Sequence, residues 1–232
     1  MKKTAKQPIK TVNLSPPSLL ALGFLSFISI GTILLKLPIS HHGEMSWINA
    51  LFTATSAVTI TGLSVVNIGD AYTVFGQMVI MLLLQCGGLG FMTFAILAVL
   101  SLSSKIGLKQ QIMAQDTIGQ TNLSKVSMTI KSVLLYSLFF EGIGTVILTL
   151  AWMQDYPFSD AFFYAAFYSV SAFNNGGFSL FPNSLMSFAD QYLITLTISM
   201  LYIIGGIGFV VLMDIKRAKL LKKLSPNSKL IL

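Results

Sequence analysis

The chain alternates long apolar runs with short polar ones. Four runs, Ser18 to Leu37, Val74 to Leu100, Lys131 to Trp152 and Gln191 to Met213, each reach the roughly 20 residues that a helix needs to cross hydrocarbon. Two more, Trp47 to Val58 and Phe162 to Phe173, are equally apolar but span only 12 residues each. At 1.5 Å per residue such a helix reaches roughly 18 Å, little more than half the bilayer core, so both are predicted to be re-entrant. The residues after each are non-helical in character, and such backbone survives at membrane depth only where it lines water or is buried in protein. The predicted fold is an all-α polytopic membrane protein.

The pattern repeats in order. Placing Gly62 on Gly177, an offset of 115 residues, also pairs Phe52 with Phe167, Ser56 with Ser171, Ala57 with Ala172 and Ser64 with Ser179. Ile30-Gly31-Thr32 pairs with Ile143-Gly144-Thr145 at an offset of 113, and Gly87-Gly88-Leu89-Gly90-Phe91 with Gly205-Gly206-Ile207-Gly208-Phe209 at 118. Ordered matches with a slowly drifting offset mark an internal duplication. Each copy reads as helix, short re-entrant helix, extended loop, helix.

Charge orients the copies. The basic residues precede the first apolar run (Lys2, Lys3, Lys6, Lys10), fill the central polar stretch (Lys105, Lys109, Lys125, Lys131) or follow the last run (Lys216, Arg217, Lys219, Lys222, Lys223, Lys229). The stretches Pro38 to Thr73 and Met153 to Asp190 contain no Lys or Arg. By the positive-inside rule both termini and the central stretch are cytoplasmic and the two re-entrant stretches face outside. Lys36, at a helix end, breaks the asymmetry where a lysine can snorkel. Because each copy starts and ends on the same side, the two are parallel repeats about an axis along the membrane normal. The resulting division is a cytoplasmic segment (1–17), a first repeat (18–104), a cytoplasmic linker (105–130), a second repeat (131–214) and a basic cytoplasmic segment (215–232).

Composition narrows the chemistry. With 54% hydrophobic and 10% charged residues, the bilayer is the expected solvent. The net charge of +7 is used up by topology, so no nucleic acid is expected. The Lys216 to Lys223 stretch is read as a topology determinant. The single cysteine, Cys86, is read as a packing residue. His41 and His42, with only Glu44 nearby, do not make a metal site. The Gly87 to Gly90 and Gly205 to Gly208 clusters lie within spans rather than in a βαβ unit, and close helix packing explains them. The first run is too long for a signal-peptide core and lacks a small-x-small cleavage site before Pro38. Nothing suggests an enzyme or a bound cofactor.

The candidate chemistry lies in the loops Thr59-Ile60-Thr61-Gly62 and Asn174-Asn175-Gly176-Gly177. A dehydrated monovalent cation is matched by backbone carbonyls, which carry no net charge. Glycine lets successive carbonyls face one axis. The bland alternative is that Gly62 and Gly177 only cap short helices in the left-handed conformation. The amides of Asn174 and Asn175 either line a vestibule or brace the loop from behind. Glu141, in mid-span, is either a coupling site or a structural carboxylate.

Taken together, the unit resembles the Trk/Ktr/HKT superfamily of potassium transporters, especially its bacterial Ktr membrane subunits. The resemblance runs through residues 57–66, 171–178, Lys105 to Lys109, both Gly-Gly-x-Gly-Phe motifs and the tail Lys229 to Leu232. It implies half of a fourfold pseudosymmetric cation pore, filter roles for residues 59–62 and 174–177, and potassium preference through glycine in the first loop. It also implies a homodimer in the bacterial cell membrane, seated on a cytoplasmic regulatory ring that itself binds nucleotide, and it leaves sodium dependence open. Family members carry four repeats and this chain two, so it reads as a fragment, a truncated frame or a half that must dimerise. Its end at Leu232, where a third repeat would start, points to truncation. The competing expectation is a non-conducting half-subunit that acts only in assembly.

Overall fold

A computed structural model describes residues 16–103, 123–208 and 211. The Lys105 to Lys109 motif, the basic stretch after Asp214, the tail and nearly all of the N-terminal segment lie outside the described residues. Among those described, the regular elements are helices: α1 (Pro16–Lys36), α2 (Trp47–Val58), α3 (Ile68–Ala71), α4 (Val74–Ser103), α5 (Leu123–Trp152), α6 (Phe158–Phe173) and α7 (Tyr192–Ile207), with a 3₁₀ turn at Met186–Phe188. One stretch, Lys131–Trp152, is long and apolar enough by itself to cross a bilayer; Ala21–Lys36, Val74–Gly90 and Tyr192–Ile207 are shorter apolar helical stretches.

Three boundaries depart from the sequence reading. The central helix α5 begins at Leu123, within the stretch expected to be linker. The second short helix begins four residues early, at Phe158. There Pro157 supplies a preset φ without losing an intrahelical N–H bond, and Asp160 lies in the favourable first turn. Helix α7, in the span expected to run to Met213, breaks at Ile207, because Gly208 takes φ 85° and ψ 146°, a conformation open essentially to glycine alone; Val211 is again helical.

Helices α1, α2 and α4 pack on one another, as do α5, α6 and α7, and α4 also touches α5 and α6. The outward surface is apolar: Ile30, Ile33, Leu135, Phe139, Val146, Leu196 and Met200 are exposed. The inward face of α5 instead carries Ser137, Glu141 and Thr149, all buried. Polar groups inside and apolar groups outside is the arrangement that hydrocarbon demands.

Glycine sets how closely the helices meet, and it does so in the same way in both halves. A Cβ on Gly31 would lie 2.6 Å from the Leu83 side chain, and one on Gly144 2.6 Å from Leu201. A Cβ on Gly87 would lie 2.3 Å from the Val58 carbonyl oxygen, and one on Gly205 1.8 Å from that of Phe173. The last carbonyl of each short helix therefore rests where a side chain would begin. This is the close packing expected of the two glycine clusters.

Each half ties its returning segment to its short helix from matching positions, Thr53 and Tyr168. The Tyr72 hydroxyl donates to Thr53 Oγ1 at 3.1 Å. The Tyr168 hydroxyl accepts from the N–H groups of Leu180 at 3.1 Å and Phe181 at 3.2 Å. Around Tyr168, Trp152 and Phe181 close an aromatic cluster with ring centroids 5.3 to 5.8 Å apart. Lys36 donates its ammonium to the Met45 carbonyl at 2.5 Å and sits 5.8 Å from the Trp47 ring centroid, so its charge is held at the C-terminal end of α1.

Gly205→Ala is expected to lower the apparent melting temperature in detergent, at a cost of about 2 kcal/mol from overpacking against the Phe173 carbonyl. Gly142→Ala is the control, since its methyl would meet nothing within 4 Å; the gain of about 1 kcal/mol in helix propensity should leave the protein as stable or more so. Equal effects of the two substitutions would contradict the packing described.

Candidate functional site: two re-entrant loops and the network behind them

The first short helix, α2, opens with Ser46 accepting from the Asn49 N–H at 3.1 Å and ends at Thr59, the C-cap. The next residue, Ile60, has φ 57°. Its N–H bonds to the Ala57 carbonyl at 3.3 Å and that of Thr61 to the Ser56 carbonyl at 2.9 Å, the paired bonds of a Schellman ending. In the second loop Asn175 has φ 57°, with its N–H on Ala172 O at 2.9 Å and that of Gly176 on Ser171 O at 2.7 Å. The left-handed caps are thus Ile60 and Asn175, not the glycines. Gly62 (φ 77°) and Gly177 (φ 70°) follow two residues later, so helix capping does not account for them.

The correspondence continues along both loops. Ser56 Oγ accepts from the Leu63 N–H at 2.9 Å, while Ser171 Oγ donates to the Phe178 carbonyl at 3.0 Å. Either way the serine one turn before the helix end holds the returning strand. Ser64 Oγ donates to the Val66 carbonyl, and Ser179 Oγ to that of Phe181 at 3.1 Å. Two left-handed residues separated by one ordinary residue let a backbone turn successive carbonyl oxygens toward one side, which ordinary extended chain cannot do. Chemically, such a loop can present uncharged oxygens to a cation.

The two loops lie backbone to backbone. A Cβ on Gly62 would come within 2.5 Å of the Gly176 carbonyl oxygen. One on Gly177 would be 3.7 Å from Gly62 Cα and 3.6 Å from the Tyr202 hydroxyl. Gly62 therefore has a steric as well as a conformational reason to lack a side chain.

Side chains divide sharply between the loops. Thr59 stays local, its hydroxyl donating to the Thr55 carbonyl at 2.8 Å and lying 2.7 Å from the Thr61 hydroxyl. Asn174 instead points away behind its loop: its Nδ2 donates to Gln85 Oε1 at 2.8 Å and to the Val170 carbonyl at 2.9 Å, with a longer shared contact to Glu141 Oε1 at 3.2 Å. Gln85 Nε2 donates to Ser137 Oγ at 2.7 Å, and Ser137 donates to Glu141 Oε1 at 2.6 Å. Four side chains from α4, α5 and the end of α6 thereby close a ring in which Glu141 is 4% exposed. Asn175 braces as well. With its nitrogen toward the Tyr202 carbonyl (3.3 Å) and its oxygen toward the Gly206 N–H (3.2 Å), its amide bridges α7.

Asn174 thus braces its loop from a buried position, whereas Asn175, bridged to α7, stays exposed. Sequence pattern does not single out Gln85 or Ser137, although an amide in mid-span and a serine one helical turn before a carboxylate were signals in plain view. Gly88 belongs with them, since a Cβ there would lie 1.9 Å from Asn174 Oδ1.

Residues 16–230 match the model of a family described as cation transport protein. The chain is 47% identical over 224 residues to Ktr system potassium uptake protein B of Bacillus subtilis, covering 97% of this chain and 50% of that protein. It is 38% identical over 201 residues to the Ktr system potassium uptake protein B of Vibrio alginolyticus (87% and 44%). With the potassium/sodium uptake protein NtpJ of Enterococcus hirae it shares 35% over 221 residues (94% and 49%). It thus spans about half the length of the curated relatives it matches.

Ile60 is β-branched, and a left-handed conformation strains it by about 1 kcal/mol or more. Ile60→Asn, which gives the first loop the residue used at the matching place in the second, is expected to raise the apparent melting temperature. Asn175→Ile should lower it by roughly 2 kcal/mol, through strain plus the lost bridge to α7. Thermal scans of both variants in one detergent check the pair; a destabilised Ile60→Asn would refute the strain.

Proposed function

The chain belongs to the cation transport protein family, and from that premise we propose that its two loops, residues 59–62 and 174–177, form half the wall of a selectivity filter through which potassium crosses a bacterial cell membrane. One observation carries this reading: left-handed residues recur at matching places in both loops, Ile60 with Gly62 and Asn175 with Gly177, under the same backbone hydrogen bonds. Rings of backbone carbonyls replace the hydration shell of a monovalent ion without a fixed charge to trap it. The reaction is transport down an electrochemical gradient and needs no covalent step.

The rest of the proposal follows from the pattern of charge and from the relatives' names. Both termini face the cytoplasm and the loops dip in from outside. A closed pore takes four such walls, so two further repeats complete the ring. Assembly as a homodimer on a cytoplasmic, nucleotide-binding regulatory ring fits relatives whose names place them in a Ktr system. A relative named a potassium/sodium uptake protein supports testing sodium dependence. The second reading, a non-conducting half, draws on the observation that the chain spans half the length of its relatives.

Growth of a potassium-uptake-deficient bacterium at sub-millimolar potassium tests both. The chain extended by two further repeats should restore growth, and Gly62→Ser or Gly177→Ser within it should raise the potassium needed by at least about tenfold at equal expression, as expected when filter carbonyls are displaced. Rescue by this chain alone would remove the non-conducting reading. No rescue by either form would overturn the potassium assignment.

A further inference from the structure

Resting on the filter reading above, we infer that Glu141 is not a coupling carboxylate but a positioning residue: with Gln85 and Ser137 it holds Asn174, and through Asn174 it sets the shape and ion preference of the second loop only. The geometry is a closed circuit. Gln85 donates to Ser137 (2.7 Å), Ser137 to Glu141 (2.6 Å), and Asn174 to both Glu141 (3.2 Å) and Gln85 (2.8 Å). Asn174 is the C-cap of α6, so its backbone is the first of the second loop. Moving its side chain moves the residue that precedes the left-handed cap at Asn175.

Three observations separate this role from coupling. Among the described residues, the Glu141 carboxyl is surrounded by the donors Ser137, Asn174 and Gln85, which fits an anchor better than a carboxylate exchanging ligands with an ion. It is buried, and among the described residues its hydrogen bond to the loop is the one from Asn174. The circuit also has no counterpart at the first loop among the described residues, where the Thr59 hydroxyl bonds to Thr55 and Thr61 and where the residue matching Glu141, at the offset of 113, is Ile28. Gly88 makes room for it: any side chain there would collide with Asn174 Oδ1, so the glycine admits the amide that the circuit holds.

The distinguishing experiment compares wild type, Glu141→Gln and Glu141→Leu in lipid nanodiscs by hydrogen–deuterium exchange. A glutamine carbonyl still accepts from Ser137 and Asn174, whereas leucine accepts from neither. Glu141→Leu should speed exchange in residues 171–178 by about tenfold or more, through local opening, leave residues 56–63 unchanged, and Glu141→Gln should match wild type. In the form that restores growth, Glu141→Leu should shift the rubidium-to-potassium KM ratio at equal expression, and Glu141→Gln should not. If Glu141→Gln behaves as Glu141→Leu, or if both loops loosen together, the positioning role is overturned. If the exchange pattern holds while wild type takes up no potassium, the filter reading falls and the brace stands; if uptake is intact and exchange unmoved, the brace alone falls.

Discussion

Everything near the loops depends on a contact between backbones: the C-terminal carbonyl of each short helix against the glycine backbone of the helix that follows it. Val58 O and Phe173 O occupy the places where Cβ atoms of Gly87 and Gly205 would sit. That approach fixes where each short helix ends and where its loop begins. In a bilayer there is no hydrophobic force to press helices together, so the fit has to come from close packing and from satisfied polar groups. Glycine supplies the first; the serines at 56 and 171 and the amides at 174 and 175 supply the second.

The two halves solve one problem with different chemistry. In the first, the strand leaving the loop is held by Ser56, Ser64 and the Tyr72 to Thr53 bond, all within one repeat. In the second, similar local bonds are joined by a polar circuit that reaches into α4 of the first repeat. The bond between Gln85 and Asn174 joins residues 89 positions apart in sequence, so the second loop is set partly by α4, the helix that follows the first. A low dielectric strengthens each bond in such a circuit and raises the cost of losing one member.

Much of this was legible in the chain and some was not, for identifiable reasons. The order of long and short apolar runs follows from the bilayer's thickness, and the glycines at 62 and 177 announce unusual backbone because few other residues tolerate it. Ile60 carried no such signal: propensity argues against a left-handed isoleucine, and only the helix ending imposes it. Gly90 and Gly208 sit in matching motifs, yet α4 runs on through the first while α7 stops at the second. The circuit behind Asn174 was invisible because it joins residues from three helices, and hydrophobic pattern says which face is buried but not which polar atoms meet there.

The ends of α2 and α6 carry one further consequence. Neither helix has a basic residue in its last turn, so no charge of its own neutralises the negative pole of its macrodipole, equivalent to roughly half an elementary charge at each C-terminus. Both poles are delivered to the loops, in surroundings where salt screens little. A cation at such an end would meet an attractive potential of partial charges, with no carboxylate in residues 59–62 or 174–177. Such a potential discriminates by sign of charge while leaving the ion weakly enough held to depart, which is the condition for fast passage rather than tight binding.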